Sequence, residues 1–251
     1  MVQAKVASEV ARRLMREVAD RGLEPGDNIG AESWLIERYG VARGSLREAL
    51  RLLEAQGAVE MRRGAGGGAL VSLPRPELLA GSLAMSLQAG HGDMRTILEA
   101  RAAVEPTMAA LAAGRRTESH LEALRACVAD LHSRRSDSER FHHENRRFHN
   151  LIAEASGNLL LAAILPALSL MSQAAGWQLH EKVRKRIASE KELIVDAIEE
   201  RDSWRASQRM SRMILGYEEL DKSDADRFSP VIWADVDELL ESYRNGRDDT
   251  E

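Results

Sequence analysis

The stretch "EPGDNIGAESWLIERYGVARGSLREALRLLEAQGAVEMRRGAGGGALV", residues 24–71, decides the fold of the first third of the chain. It opens on a turn: "LEPGDN" (23–28) holds the chain-breaking pair Pro25-Gly26. "ESWLIERYG" (32–40) reads as a short helix stopped by Gly40. "RGSLREALRLLEAQG" (43–57) reads as a second, with Leu46, Leu50 and Leu53 facing inward and Gly57 as its stop. Ser45 and Glu48 have the spacing of a capping box, so a cap is one role open to Ser45. "AVEMRR" and "ALVSL" are strand-like runs around the glycine-rich "GAGGG" (64–68), a hairpin signal. Glycine loops that cradle nucleotide phosphates join a strand to a helix. This one joins two strands, so it reads as a wing tip or a plain turn.

Outward from that stretch the pattern stays helical. Upstream, Val6, Val10, Leu14 and Val18 repeat at i, i+4 spacing within 3–21. Helix, short helix, turn, second helix and a two-strand wing make a winged helix-turn-helix. Downstream, "SLPRPE" (72–77) carries two prolines and marks the domain boundary. After it come only helix patterns, in seven segments at about 78–89, 94–113, 117–134, 138–155, 158–176, 179–200 and 202–216. An all-α bundle follows, large enough to enclose a core and a ligand. The expected organisation is a DNA-binding domain over 1–73, an effector and dimerisation domain over 77–220, and an extension over 221–251. That extension holds one amphipathic segment with Trp233, Val236, Leu240 and Tyr243, and a disordered end.

Composition narrows the class. Hydrophobic residues are 44% and charged residues 30%, which suits a globular chain, and aromatics are only 4%. Cys127 is the one cysteine and lies in a helical pattern, so it reads as core filler and no internal disulfide forms. No apolar run approaches the length of a membrane span and no signal peptide opens the chain, which predicts a cytoplasmic protein. The net charge of −5 argues against a polyanion partner only until the chain is divided. Residues 1–76 carry +2 and the remainder −7, so the N-terminal third alone suits DNA.

"FHHENRRFHN" (141–150) concentrates three histidines. On a helix His142, Asn145 and His149 fall within roughly one 60° stripe, while His143 faces elsewhere. A zinc hydrolase needs H-E-x-x-H with both histidines on one face, and this spacing does not supply it. No nucleophile, cofactor loop or complete metal triad accompanies the cluster, so an enzyme is not expected.

The 24–71 stretch resembles the GntR family of bacterial transcription regulators, through its Pro-Gly turn, its Gly-Val-x-Arg and its Leu-Arg-Glu-Ala-Leu. The resemblance implies DNA contact at Ser33, Arg43, Ser45, Arg47, Arg63 and Gly64. Independently, Arg43 and Arg47 stand four apart at the start of the second helix, where a recognition helix enters the major groove. Arginine there can pair bidentately with guanine. Ala42 and Gly44 depart from the hydroxyl residues common at those places in the family.

"LEARAAVEPTMAALAA" (98–113), "NRRFHNLIAEASGN" (145–158) and "LIVDAIEERDSWRA" (193–206) resemble the all-helical FCD-type effector domain of the FadR subgroup. Such domains bind carboxylate metabolites, many through a metal held by Asp or Asn and three histidines. Here Asn145 and His149 stand at the first two positions, but Lys191 and Met213 stand where histidines would. Met is a soft ligand and an ammonium is none. The expectation is therefore no metal and no cofactor. Lys191 would supply positive charge, Arg101 would clamp a carboxylate, Asn145 and His149 would add directional hydrogen bonds, and Met213 would complete the site. The blander readings are an Arg101–Glu105 surface pair and a solvated Lys191.

The functional expectation is a ligand-responsive homodimeric regulator, a repressor in the commoner mode, binding a short inverted-repeat DNA operator and an anionic effector, with no membrane partner. The alternative is a DNA-binding regulator whose bundle serves dimerisation or protein partners without a small molecule.

Overall fold

The computed structural model describes residues 2–62, 64, 68–73, 75–133, 136–174 and 181–220. Arg63, His180 and the whole 221–251 extension lie outside the described residues. The chain divides into two compact units after Leu78.

The N-terminal unit runs α1 (Val2–Asp20), β1 (Asn28–Gly30), α2 (Glu32–Tyr39), α3 (Arg43–Ala55), β2 (Val59–Arg62) and β3 (Gly68–Val71). α1 packs chiefly on α3, with Val10, Leu14 and Val18 meeting Leu46, Leu50 and Leu53 in one core. Leu35, Ile29 and Val59 complete it from α2 and the sheet. Gly40 ends α2 in the left-handed conformation, at φ 61°, and its N–H returns to Ile36 O and Glu37 O. That turn sets α3 on its own direction.

Two local expectations need correction. The wing holds three strands rather than two, in the order β1-β3-β2, all antiparallel. β1 is three residues long and has no alternation to betray it; β3 supplies its pairing, and Asp27 O accepts from Val71 N at 2.9 Å. Gly68 sits at φ 154°, where an added Cβ would lie 2.9 Å from Gly30 O, so this crossing of β1 and β3 requires glycine. The capping box is also absent. α3 begins at Arg43, where the sequence reading placed it, with Ala42 as its N-cap and no side-chain cap, so Ser45 lies inside its first turn rather than capping it.

The C-terminal bundle comprises α4 (Pro76–Ala89), α5 (Met94–Arg115), α6 (Glu118–Ser133), α7 (Ser138–Ala155), α8 (Leu159–Ala174), α9 (Glu181–Glu199) and α10 (Ser203–Leu220). These match the seven expected segments closely. α5 is central and packs on α7, α8, α9 and α10. Its closest partner is α10, and the buried alanines Ala109, Ala112 and Ala113, with Ala206 on α10, leave room for that approach. Phe141, Phe148, Ile152, Ile194 and Ile198 fill the surrounding core. No helix of the described residues is long and apolar enough to cross a membrane.

Candidate functional site

The candidate side chains fall into two sets, one in each unit. In the N-terminal unit, Arg43 and Arg47 are exposed on the first turns of α3, and Ser33 is exposed on α2. Arg47 reaches back to α2, its Nε donating to Glu32 Oε1 at 2.6 Å and its Nη2 to Oε2 at 3.4 Å. The hydrogen bond from Arg47 holds the Glu32 carboxyl below its usual range, with the Arg43 charge adding to the effect. Glu32, the acid in the first turn of α2, thus holds the Arg47 side chain, a tie the sequence reading did not single out. Ser45 is 8% exposed and belongs largely to the interior of the unit. Gly64 is exposed.

α2 and α3 share a further property. Both start at an alanine, Ala31 and Ala42, and neither start has a side-chain cap. Backbone N–H groups at a helix start carry partial positive charge and attract anions when no side chain caps them.

In the bundle, four helices converge on a buried polar cluster. Arg101 and Glu105 project from α5, His149 from α7, Ser172 from α8 and Lys191 from α9, all of them buried. Arg101 Nε donates to Glu105 Oε1 at 2.5 Å. Glu105 Oε2 lies 2.5 Å from His149 Nδ1. Arg101 Nη1 also donates to Ser172 Oγ at 3.4 Å, which in turn donates to Leu168 O at 2.9 Å. The surface-pair reading of Arg101 and Glu105 is therefore overturned: the pair is interior, because Arg101 and Glu105 face α7 and α8 rather than solvent.

Electrostatics set the proton positions. Burial is the largest single influence on the Glu105 carboxyl and would raise it, but the charges and hydrogen bonds of Arg101 and His149 together outweigh burial and hold it at about 2. Burial pushes His149 down to about 3, against the pull of Glu105 and with help from Lys191 and Arg101. Glu105 is thus a carboxylate and His149 a neutral imidazole whose Nδ1–H donates to it. His149 Nε2 then carries a lone pair and can only accept. It is buried and has no hydrogen-bond partner among the described residues.

Lys191 is 0% exposed, which overturns the solvated-face reading. Its Nζ donates to the backbone oxygen of Asn145 at 3.0 Å and lies 4.2 Å from the centroid of the Phe148 ring. The His149 ring meets the same Phe148 ring edge-on, 5.7 Å between centroids. Among the described residues Lys191 forms no ion pair, and burial lowers its ammonium to about 7. Cys127 is core filler as expected: its Sγ donates to Glu144 O at 3.3 Å and burial pushes the thiol up to about 12.

Asn145 is half-buried, and its Oδ1 is buried without a partner. His142 Nε2, on the same stripe of α7, and Ser169 Oγ on α8 are in the same condition. His143 is exposed and bonds Glu144. Met213 is buried on α10 within the apolar core. Of the residues named from the sequence, Arg101, His149 and Lys191 are brought into the buried cluster; Glu105, named there only as a surface partner of Arg101, ties Arg101 to His149, and Phe148, Ser169 and Ser172 were not singled out. The i, i+4 spacing of Arg101 and Glu105 was the available signal.

The divalent ion that the resemblance implies does not fit these residues. Lys191 brings an ammonium into the core at one ligand position, and Met213 offers only a thioether at another. His149 Nε2 and Asn145 Oδ1 alone remain, both from α7. Among the described residues no group of three His, Cys, Asp or Glu side chains is placed to hold a metal.

Comparison with known proteins follows the same division. Residues 6–68 match the family described as bacterial regulatory proteins, gntR family, and residues 96–216 match the FCD domain. The chain is 34% identical over 149 residues to the HTH-type transcriptional regulator LutR of Bacillus subtilis (strain 168), covering 59% of this chain and 66% of that protein, just under two thirds of its length. It is 29% identical over 198 residues to the galactonate operon transcriptional repressor of Escherichia coli (strain K12), covering 76% of this chain and 85% of that one. The solved structure of Streptococcus agalactiae GntR superposes with a TM-score of 0.69 at 24% identity, covering 85% of this chain and 99% of that one. That likeness shows the fold.

Proposed function

Since this chain belongs to the GntR family of bacterial regulatory proteins and carries an FCD domain, we propose that it regulates transcription as a homodimer reading a short inverted-repeat operator. An anionic metabolite in the bundle would shift the population between DNA-competent and incompetent arrangements, and ligand would relieve repression. One relative is named a repressor. The protein would act in the cytoplasm, where the operator is.

One observation carries the DNA reading: α2 and α3 start without side-chain caps, with Arg43 and Arg47 exposed on the first turns of α3. Such starts suit backbone phosphates, and the two arginines suit base edges or phosphates. Ser33 and Gly64 would add contacts from α2 and the wing, and Arg63 would join Gly64 there. Ser45 has little surface to offer, so its contribution is the smallest of the set.

In the bundle, Lys191 and Arg101 would supply charge to a carboxylate, His149 and Asn145 would direct it by hydrogen bonds, and Met213 would bound the site. No metal enters this reading. A footprint of the upstream region with and without candidate acids tests both halves. A protected inverted repeat that is released by an acid is the expected result, and no protection at any concentration sinks it.

A second reading has its own support. Leu159, Leu160 and Trp204 are large apolar residues exposed at the starts of α8 and α10, as a surface for a second subunit or another protein would be. If organic acids, sugar acids and acyl-CoA thioesters all leave the thermal midpoint unchanged, the bundle serves dimerisation or protein partners alone.

A further inference from the structure

We infer that residues 231–243 of the C-terminal extension dock on an exposed basic face of the same chain, where the start of α9 meets the end of α10, and keep nucleic acid off it.

The face has unanswered charge. Lys182, Lys185 and Arg186 are exposed on the first two turns of α9, against one exposed acid, Glu181. Arg212 is exposed on α10. Among the described residues none of these four cations forms an ion pair, and Arg186 has only the backbone oxygen of Gly216, to which its Nη2 donates at 3.4 Å. Exposed arginines elsewhere on the bundle hold acids, as Arg125 does Asp196, Arg140 does Asp137 and Arg147 does Glu144. Two apolar side chains lie among the unpaired cations. Leu193 shares a stripe of roughly 40° on α9 with Lys182 and Arg186. Leu215 follows Arg212 by three residues on α10, and both leucines are exposed.

The extension has the complementary chemistry. Residues 221–251 hold ten acids and four bases, so they carry −6 where the whole chain carries −5. Within 231–243 stand Asp235, Asp237, Glu238 and Glu241, and no base. Trp233, Val236, Leu240 and Tyr243 recur there at helical spacing. A helix this short is marginal alone in water, so its apolar stripe needs a surface. Leu193 and Leu215 offer one, with cations beside them for the acids.

Reach is sufficient. The Arg186–Gly216 bond puts the start of α9 and the end of α10 at one end of the bundle. α10 ends at Leu220, so the extension leaves from that end. Residues 221–230 span up to roughly 33 Å when extended, ample to return along either helix. The consequence is selectivity. A bare basic face on a chain that reads DNA elsewhere would hold it on arbitrary sequence, and the docked acids remove that competitor.

The test begins with carbodiimide cross-linking of the full chain, which joins a carboxylate to an amine in direct contact. The chain has five lysines, Lys5, Lys182, Lys185, Lys191 and Lys222, and Lys191 is buried. Links from Asp235, Asp237, Glu238 or Glu241 to Lys182 or Lys185 are expected. Links to Lys5 or Lys222 alone, or none, would overturn the docking. In a mixture of ¹⁵N-labelled and unlabelled protein, links found only between copies would make a second chain the occupant and overturn it too. Amide exchange over 231–243 should be at least about tenfold slower in the natural chain than in Lys182→Gln/Lys185→Gln/Arg186→Gln, and should quicken in molar salt. Equal exchange would count against the face. The full chain with Asp235→Asn, Asp237→Asn, Glu238→Gln and Glu241→Gln should bind a scrambled duplex at least about threefold tighter than one with Asp221→Asn, Asp224→Asn, Asp248→Asn and Asp249→Asn, which loses the same charge outside the segment. Equal affinities would overturn the shielding. The cross-links of the natural chain decide the docking even if a variant fails to fold.

Discussion

Helix starts are treated differently in the two units. In the bundle, Asp93 caps α5, Thr117 caps α6, Asp137 caps α7, Asn158 caps α8 and Asp202 caps α10, each accepting from a backbone N–H of the first turn. Helix ends are closed there as well. Arg115 donates to Ser156 O at the end of α7, Arg116 to Glu199 O at the end of α9, and Arg201 to Gly114 O at the end of α5. In the N-terminal unit, α2 and α3 begin at Ala31 and Ala42 with no side-chain cap. A cap contributes about 1 kcal/mol, so its omission twice in 78 residues has a cost in stability that function can explain. The bundle leaves polar atoms open too, but in its interior, where His142, Asn145 and His149 share one stripe of α7. Open donors on a surface suit a polyanion, whereas the open atoms of the bundle are buried.

The comparison can be broken at several points, beginning with the largest effect. Glu105→Ala strips Arg101 of its partner, and chemical denaturation of the bundle should show a loss of about 3–5 kcal/mol. A loss below 1 kcal/mol would mean that water reaches the cluster.

Lys191→Met should act in the opposite sense, raising stability by about 1–4 kcal/mol, because an apolar side chain replaces a buried unpaired ammonium. Its pH signature is specific. Folding lowers Lys191 from its ordinary 10.5 to about 7. Between those values the unfolded chain holds the extra proton, so stability rises with pH from about 7 to about 10.5 and levels off on either side. Melting curves across that window should slope upward for the natural protein and less steeply for Lys191→Met. Equal slopes would place the ammonium in water.

Arg47→Ala should weaken operator binding by about 1–3 kcal/mol and erase the footprint at working concentrations, with the dimer intact in sedimentation. An unchanged footprint would put the recognition helix elsewhere.

The smallest effects are the most direct probe of the contrast. Ala42→Asp gives α3 the missing cap and should stabilise the N-terminal unit by about 1 kcal/mol while weakening DNA binding, because a carboxylate then occupies the anion's place. Asp137→Ala should cost about 1 kcal/mol in the bundle and leave operator affinity alone. If Ala42→Asp binds DNA as before, the bare helix start is incidental.

Much of the fold was legible because it is written in local patterns. The 3.6-residue spacing of Leu46, Leu50 and Leu53, the stop at Gly40 and the prolines of 72–77 each act over a few residues. β1 was not legible, since three residues carry no alternation and its partner lies forty residues away. The start of α3 at Arg43 was legible, but the cap role open to Ser45 is not taken up, because Gly40 and Val41 already aim the chain into a helix at Arg43. For the site, Arg43 and Arg47 could be named from spacing, whereas Glu32 could not, since its tie to Arg47 joins two helices.

By itself the sequence determined which residues could form helices, where the chain divides, which arginines lie on one face of α3, and that histidines are missing from two positions of a family's metal set. These follow from periodicity, from breakers and from residue identity. Only the tertiary structure decided that Lys191 is interior rather than solvated, that Glu105 ties Arg101 to His149, and that His149 Nε2 is left able only to accept. Burial and hydrogen-bond polarity are properties of four helices meeting, and no stretch of one helix contains them.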